Sequence, residues 1–289
     1  VKVESTLEAY RRWHWLQRRT QDIDPVYPVM RSLTTDWTPD QRAWLVLLHV
    51  GYYHLGSALF AHHAYPEPRG TFATKIDLAR LPCATERRGH RSPLKLVSHW
   101  WSLLTAIETY GGPYALLCAP SWAELTERLV SIKGNGRWAA YKAAEMAQKV
   151  LDVPIEPPDA AHADSSGPRH GLAIVVGPQP VDNSVDTIRQ LDKVTTRLAE
   201  EIGETDLGYV ETSLCDFGSL AAGRYYLGHD IDQMLAQLYQ VPSRLTAPAL
   251  FARRATLPQA YLGELHGWVG VSPDRKKMFA KSGYIAERY

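Results

Sequence analysis

The twelve residues Ser131-Ile-Lys-Gly-Asn-Gly-Arg-Trp-Ala-Ala-Tyr-Lys142 constrain this chain more than any other stretch. Upstream, Ser121 and Glu124 stand three apart and open an apolar run (Leu125, Leu129, Val130), the pattern of a capped helix start. Downstream, Ala139, Ala143, Met146 and Val150 recur at helical spacing. Residues 121–151 therefore read as helix, tight glycine turn, helix. Gly134 and Gly136 can take positive φ and let the backbone approach another molecule closely. The turn amides and the start of the second helix then face outward as an anion site. A hairpin of this kind suits the phosphate backbone of DNA, held without reading bases. The plainer reading is punctuation between two helices.

Bulk properties narrow the classes. A chain of 289 residues is long enough for one large domain, or for two lobes sharing a cleft. Net charge of +1 gives no global electrostatic footprint for nucleic acid, so any such site must come from local clustering. Arg11, Arg12, Arg18 and Arg19 form one basic cluster, and Arg87, Arg88, His90 and Arg91 another; solvated helix faces and loops are the bland account of both. The three cysteines (Cys83, Cys118, Cys215) lack metal-pair spacing and leave an odd one over, which points to a reducing cytoplasm. No apolar run approaches a membrane span, and no leader pattern opens the sequence. Nine Trp and fifteen Tyr against five Phe mean that most rings carry a polar handle, as a nucleobase site or an interior with polar edges would use.

Along the chain, Thr38-Pro-Asp-Gln41 is a strong helix start, and the helix after it, to about Ala61, is apolar on nearly all sides and so buried. Residues 64–97 read as an irregular surface excursion rich in Pro, Gly and Arg. Helices resume near Leu94–Tyr110. Asp152-Val-Pro-Ile-Glu-Pro-Pro-Asp159 cannot continue a helix, and a long polar loop follows, with His162, Asp164, Ser165, Ser166, Arg169 and His170. Gly171–Gly177 reads as a single strand or a buried turn. Helices are expected at about 186–202, 209–217 and 230–240. The class is mainly α.

Three segments carry chemistry. In the turn, Lys133, Arg137 and the backbone of Gly134–Asn135–Gly136 could hold phosphate. In the loop, Asp159 follows Gly136 by one helix and would return near the mouth of the hairpin, as a base or a stabiliser of a developing cation; a turn carboxylate after Pro-Pro is the alternative. The third segment is Glu211-Thr-Ser-Leu-Cys-Asp-Phe217, running on to Gly223-Arg-Tyr-Tyr-Leu-Gly-His-Asp230. Part of it is ordinary capping, through Asp230 and Gln233, and Cys215 reads as a small buried residue. Arg224, Tyr225 and Tyr226 are harder to explain as packing. His49 and His54 are five apart and share no face, so core histidines bonded to backbone fit better than metal ligands. The sequence has no phosphate-loop, His-Glu-x-x-His or Cys-x-x-Cys motif, which argues against P-loop kinase and zinc-deaminase chemistry.

The hairpin resembles that of the helix-hairpin-helix DNA glycosylases, in whose bifunctional members a lysine stands where this chain has Trp138. That likeness implies no lyase activity and points to Asp159 as the catalytic carboxylate, with Glu156 or Asp164 as near neighbours. A wider resemblance rests on Ser131–Lys142, on Pro158-Asp-Ala…Ser166-Gly-Pro-Arg-His-Gly-Leu172 and on the third segment. Together they are similar to the phage amino acid:DNA transferases, also called α-glutamyl/putrescinyl thymine pyrophosphorylases, clade 2. The resemblance implies a glycosylase-like helical fold, residues 1–289 forming one domain of two lobes about a cleft. It implies a substrate of double-stranded DNA bearing 5-(pyrophosphoryloxymethyl)uracil, plus a free amino acid, glycine being the simplest. In that setting Asp159, Asp164, His170 and Asp216 are the candidate catalytic residues, and Lys133–Trp138 the DNA contacts. Ser166, Arg169, Glu211 and Arg224 are assigned to substrate or pyrophosphate, as are Tyr225, Tyr226, His229 and Asp230. Mg2+ held by Asp216 or Asp230 is compatible with this chemistry, though no spacing demands it. A monofunctional glycosylase and a non-catalytic DNA-binding module are the alternatives.

Overall fold

The computed structural model describes residues 5–68, 76–163, 165–259 and 262; among them every regular element is a helix. In chain order these are α1 (Thr6–Thr20), α2 (Val26–Leu33), α3 (Pro39–Tyr52), α4 (Leu55–Ala64), α5 (Pro93–Tyr110), α6 (Pro113–Leu117), α7 (Trp122–Val130) and α8 (Arg137–Leu151). After them come α9 (Ser166–Val176), α10 (Val185–Ile202), α11 (Leu207–Ala221), α12 (His229–Tyr239) and α13 (Ser243–Thr256). Short 3-10 segments at Leu78–Arg80 and Thr85–Arg91 precede α5. The chain divides into two units, each built from separated stretches of sequence. The first holds Val26–Glu156 and Met234–Thr256; the second holds the described residues up to Pro25, Pro157–Gln233 and the described residues from Leu257 onward. No helix of the described residues is long and apolar enough to cross a membrane.

The first unit is organised on α3. Thr38 accepts from the Gln41 amide (3.3 Å) while the Gln41 side chain accepts from the Thr38 amide (3.0 Å), a complete reciprocal cap. Every residue of α3 from Ala43 to Tyr52 is buried; each large side chain among them, such as Trp44 or Leu48, contributes about 1.5–3 kcal/mol. The helix does not run on to Ala61. Tyr53 turns left-handed (φ 48°), and His54 caps a new helix, its Nδ1 accepting from the Ser57 amide at 3.0 Å. Burial holds His54 down at about 4, so it stays neutral and can accept. The second wall is α8, whose buried alanines (Ala139, Ala140, Ala143, Ala144, Ala147) allow α3 to lie close. A buried ionic cluster lies inside it: Glu145 accepts from Tyr27 (2.8 Å), Lys142 (2.9 Å) and Lys149 (3.2 Å). Burial would push its carboxyl up, but the two ammonium groups outweigh that and hold it at about 2.

The second unit is organised on the pairing of α9 with α11. Gly171–Val176 is neither a strand nor a buried turn: it is the continuation of α9, which begins at Ser166. The reason is tertiary. A β-carbon on Gly171 would fall 1.9 Å from the Leu214 carbonyl oxygen, and one on Gly167 would fall 2.4 Å from Cys215 Sγ. From the other side, one on Gly218 would lie 3.0 Å from the His170 ring. Glycine inside a helix costs about 1 kcal/mol of propensity, and here that cost is offset by backbone-to-backbone approach. Below the pair lies an aromatic core: Tyr10 meets Phe217 edge-on at 5.4 Å between centroids, and Trp13 meets Tyr225 at 5.7 Å.

Gly171→Ala therefore should destabilise the chain by about 3 kcal/mol, the overpacking cost of forcing the two backbones apart. Gly89→Ala, where nothing lies within 4 Å of the added carbon, should stay within about 0.5 kcal/mol. Urea unfolding monitored by far-ultraviolet circular dichroism decides it; equal midpoints for the two variants would refute the packing argument.

Candidate active site and nucleic-acid interface

The turn between α7 and α8 is exposed at Lys133, Gly134, Gly136 and Arg137. Ser121 caps α7 through the Glu124 amide at 3.2 Å, and the chain then bends at Gly134, whose φ of 90° is the left-handed conformation expected there. Gly136 departs from expectation. Its φ of −90° and ψ of 178° are ordinary extended values, so it is not glycine for backbone reasons. It stands at the N-cap of α8 without a side chain to cover the first-turn amides, and nothing lies within 4 Å of where a β-carbon would be. Those amides have no partner within the helix, which leaves a positive helix end in the open. Asn135 turns inward: its amide donates to Leu129 O (3.1 Å) and its oxygen accepts from Arg87 (3.1 Å). Trp138 is half-buried, edge-on to Tyr53 at 4.8 Å.

Behind the turn lies a polar platform that the sequence presented as a surface excursion. Arg87 and His90 are buried, whereas Arg91 is exposed. Arg87 donates to Gly51 O (3.4 Å) and to His90 (3.0 Å) as well as to Asn135. His90 Nδ1 donates to Gly51 O at 2.7 Å, and a β-carbon on Gly134 would come within 2.8 Å of its Nε2. From α5, His99 Nδ1 donates to Lys133 O (2.9 Å) and Ser102 Oγ accepts from the Lys133 amide (2.9 Å). Burial, then the neighbouring Arg87, pulls His90 down to about 4; burial, then His90 and Arg87, pulls His99 well below its usual value.

In the second unit, Asp159 is half-buried and its Oδ1 accepts at 2.8 Å from the amide of Ala161, whose φ is 53°. It faces Asp192 on α10, whose carboxyl is raised to about 6, first by burial and then by Asp159. Asp164 lies outside the described residues. Arg169 is fully engaged: Nε donates to His162 O (2.6 Å), Nη1 to Val181 O (3.3 Å) and Asp182 O (3.1 Å), and Nη2 to Asn183 (2.7 Å). That guanidinium ties the 159–183 segment together and has little left to offer an anion. Ser166 opens α9 and is exposed, as is His170.

The third segment folds around a residue the sequence reading passed over. Asp22, in the loop after α1, is fully buried and accepts from the amides of Gly228 (2.7 Å), Asp230 (3.2 Å) and Ile231 (3.2 Å). It caps α12 from a distant point in the chain, work that the sequence assigned to Asp230. Burial and then Asp230 raise Asp22 to about 7. Asp216 accepts from Gln17 (2.7 Å) and is pushed well above the usual range by burial, then by Asp230. The buried Tyr225 phenol is in the field of Asp216, Asp22 and Asp230. Tyr226 donates to Asp232 (2.9 Å), and His229 bonds Asp230 (2.9 Å). Glu211 is buried and accepts from Thr212 (3.2 Å), and Arg224 is exposed. Among the described residues no group of three or more His, Cys, Asp or Glu is arranged to hold a metal, so magnesium at Asp216 or Asp230 finds no ready set of ligands.

The profile of one family, amino acid:DNA transferase, matches residues 18–226, which takes in Asp22, the hairpin, the loop segment and the third segment as far as Tyr226. The chain belongs to that family. No curated protein matches it. The transferase acts on DNA with an amino acid as its other substrate. Sequence reasoning missed Asp22, Gln17, Asp192 and His99, and it named Arg87 within a basic cluster whose bland account was a solvated loop. Only Thr20-Gln-Asp-Ile-Asp-Pro25, with two acids just after a helix and ahead of a proline, carried a signal.

The raised carboxyls make stability fall with pH. A carboxyl whose folded value exceeds its unfolded one binds more protons in the native state, so its stabilisation is complete below about 4 and is lost as pH rises through the folded value, about 7 for Asp22. Asp216→Asn keeps an oxygen for Gln17 and removes one of these acids. Thermal unfolding should show the variant gaining on the wild type as pH rises from 4 to 7, with the two converging near pH 4; a gap that does not change with pH would count against the buried-acid reading.

Proposed function

We propose that this transferase joins the amine of an amino acid to the exocyclic methylene of 5-(pyrophosphoryloxymethyl)uracil in phage DNA, during thymine hypermodification. Family membership carries the reading, and the exposed hairpin supports it on the DNA side. Glycine is the simplest donor. The hairpin is the glycosylase-like part of the fold: Lys133, Arg137 and the open amides of the α8 start hold the strand while the modified base leaves the stack, with Trp138 beside the gap.

In the chemical step the amine lone pair forms a bond to the methylene carbon, and the carbon–oxygen bond breaks with its electron pair leaving on pyrophosphate. The pyrimidine feeds electrons toward that carbon, so positive charge builds at the methylene and negative charge on the leaving group. The nitrogen then loses a proton to a carboxylate. Asp159 takes that role, with Asp192 as its companion: burial and then Asp159 raise the Asp192 carboxyl to about 6, so that this site can take up a proton close to neutral pH. With Arg169 occupied, the exposed His170 and Arg224 side chains are the candidates from these motifs for binding pyrophosphate.

Asp159→Asn incubated with pyrophosphorylated DNA and each common amino acid should lose conjugate formation by about 100-fold or more, read by nucleoside mass spectrometry. Unchanged conjugate would remove Asp159 from the mechanism. Lys133→Ala should lower the slope of log affinity against log salt by about one, uniformly across DNA sequences. Abasic sites in place of heavier nucleosides would turn the assignment toward a glycosylase.

A further inference from the structure

We infer that Arg87, buried beneath the hairpin turn, is part of the DNA grip: its charge, held behind the turn by neutral partners, strengthens phosphate binding on the outer face. This rests on the hairpin being the DNA contact, and it adds a residue that never reaches the surface there.

The geometry is specific. Arg87 is 6% exposed, and among the described residues no carboxylate pairs with it. Its guanidinium is satisfied by a carbonyl (Gly51), an imidazole (His90) and an amide oxygen (Asn135). The two histidines of the platform are kept neutral, so among the described buried side chains there Arg87 carries the positive charge. Burying a cation without a counter-charge is costly. A fold that needed only a brace at this point could use a neutral donor for Asn135.

What makes the charge useful is its place. Asn135 and Gly134 separate it from the outer surface: Asn135 through the 3.1 Å bond, Gly134 through its seat on His90. Lys133 and Arg137 are exposed on the outside, and a cation behind the turn adds to the positive potential that they present to a phosphate. It adds to the positive end of α8, which opens at the same turn. Because Arg87 is fixed by three partners, no side-chain freedom is lost when a phosphate arrives.

The test is DNA binding by the full chain across a salt series, with a plain duplex oligonucleotide as probe. Arg87→Gln retains a donor for the bracing bonds and removes the charge. It should weaken binding about ten-fold at low salt and flatten the salt slope, while Arg87→Lys should stay within about three-fold of wild type. Asn135→Ala breaks the brace and keeps the charge; it should lose less and keep the wild-type slope. If Arg87→Gln binds like wild type, or weakens only as Asn135→Ala does and with an unaltered slope, Arg87 is a brace alone and the inference falls. Should Arg87→Gln fail to fold, Arg87→Met and Arg87→Lys carry the comparison, and loss in both alike would overturn the role of charge. A wild-type chain with no salt-dependent binding overturns the DNA reading itself, which separates that failure from failure at Arg87.

Discussion

The contact between α9 and α11 is the constraint on which the second unit depends. A helix can approach another at backbone distance only where side chains are absent from the shared line, and Gly167, Gly171 and Gly218 clear that line. The Ser166–Leu172 motif and the Glu211–Phe217 motif are far apart in sequence, yet they are two sides of one interface. Two consequences follow from this pairing. Cys215 is held against Gly167, in keeping with a packed thiol, and Asp216 is carried one residue on from that contact. The glycines of the Ser-Gly-Pro-Arg-His-Gly run, which the sequence placed in or at the end of a long polar loop, are helical packing positions.

Both units bury charge, and the manner differs in each case. Glu145 is compensated by two lysines and a phenol, which is why its carboxyl stays ionised. Asp22 is met by three backbone amides at a helix start, an arrangement that favours the anion, and yet Asp230 and burial still raise it. Arg87 has neutral acceptors only. Buried ions with strong counter-charges are explained by the fold that encloses them. Arg87 is held by hydrogen bonds alone, and that contrast sets it apart from Glu145 and Asp22.

What could be read from the sequence was local. The Thr38 and Ser121 caps depend on residues three apart and formed as expected. The mainly helical class followed from periodicity, and the Gly134 turn from a residue type that permits positive φ. Three things depended on distant partners and could not be read. Gly171–Val176 is rich in β-branched and small residues, which suits a strand until Leu214 is known to lie against it. The break at Tyr53 needs the His54 imidazole as a cap, and its capacity to accept follows from burial among residues far along the chain. Arg87 sits in a segment whose composition spelled surface, because proline, glycine and arginine describe a loop's shape without saying what it covers. The site residues divide the same way: the Gly134 bend was legible, whereas Asp22 and Asp192 gained their character from neighbours roughly 200 and 30 residues away.

The two glycines of the hairpin show why a motif has to be taken residue by residue. Gly134 is required twice over, by its left-handed φ and by the His90 ring behind it. Gly136 is required by neither, since its backbone is ordinary and the space around it is empty. A serine or aspartate at that N-cap would stabilise α8 by roughly a few tenths of a kcal/mol, and the chain forgoes it. An aspartate would set an anion at the helix start, and a serine hydroxyl would occupy an amide there. Either would blunt the positive end of α8. The bare cap therefore costs little, and Gly136 differs from Gly134 in what it leaves uncovered at the helix start rather than in what its backbone demands.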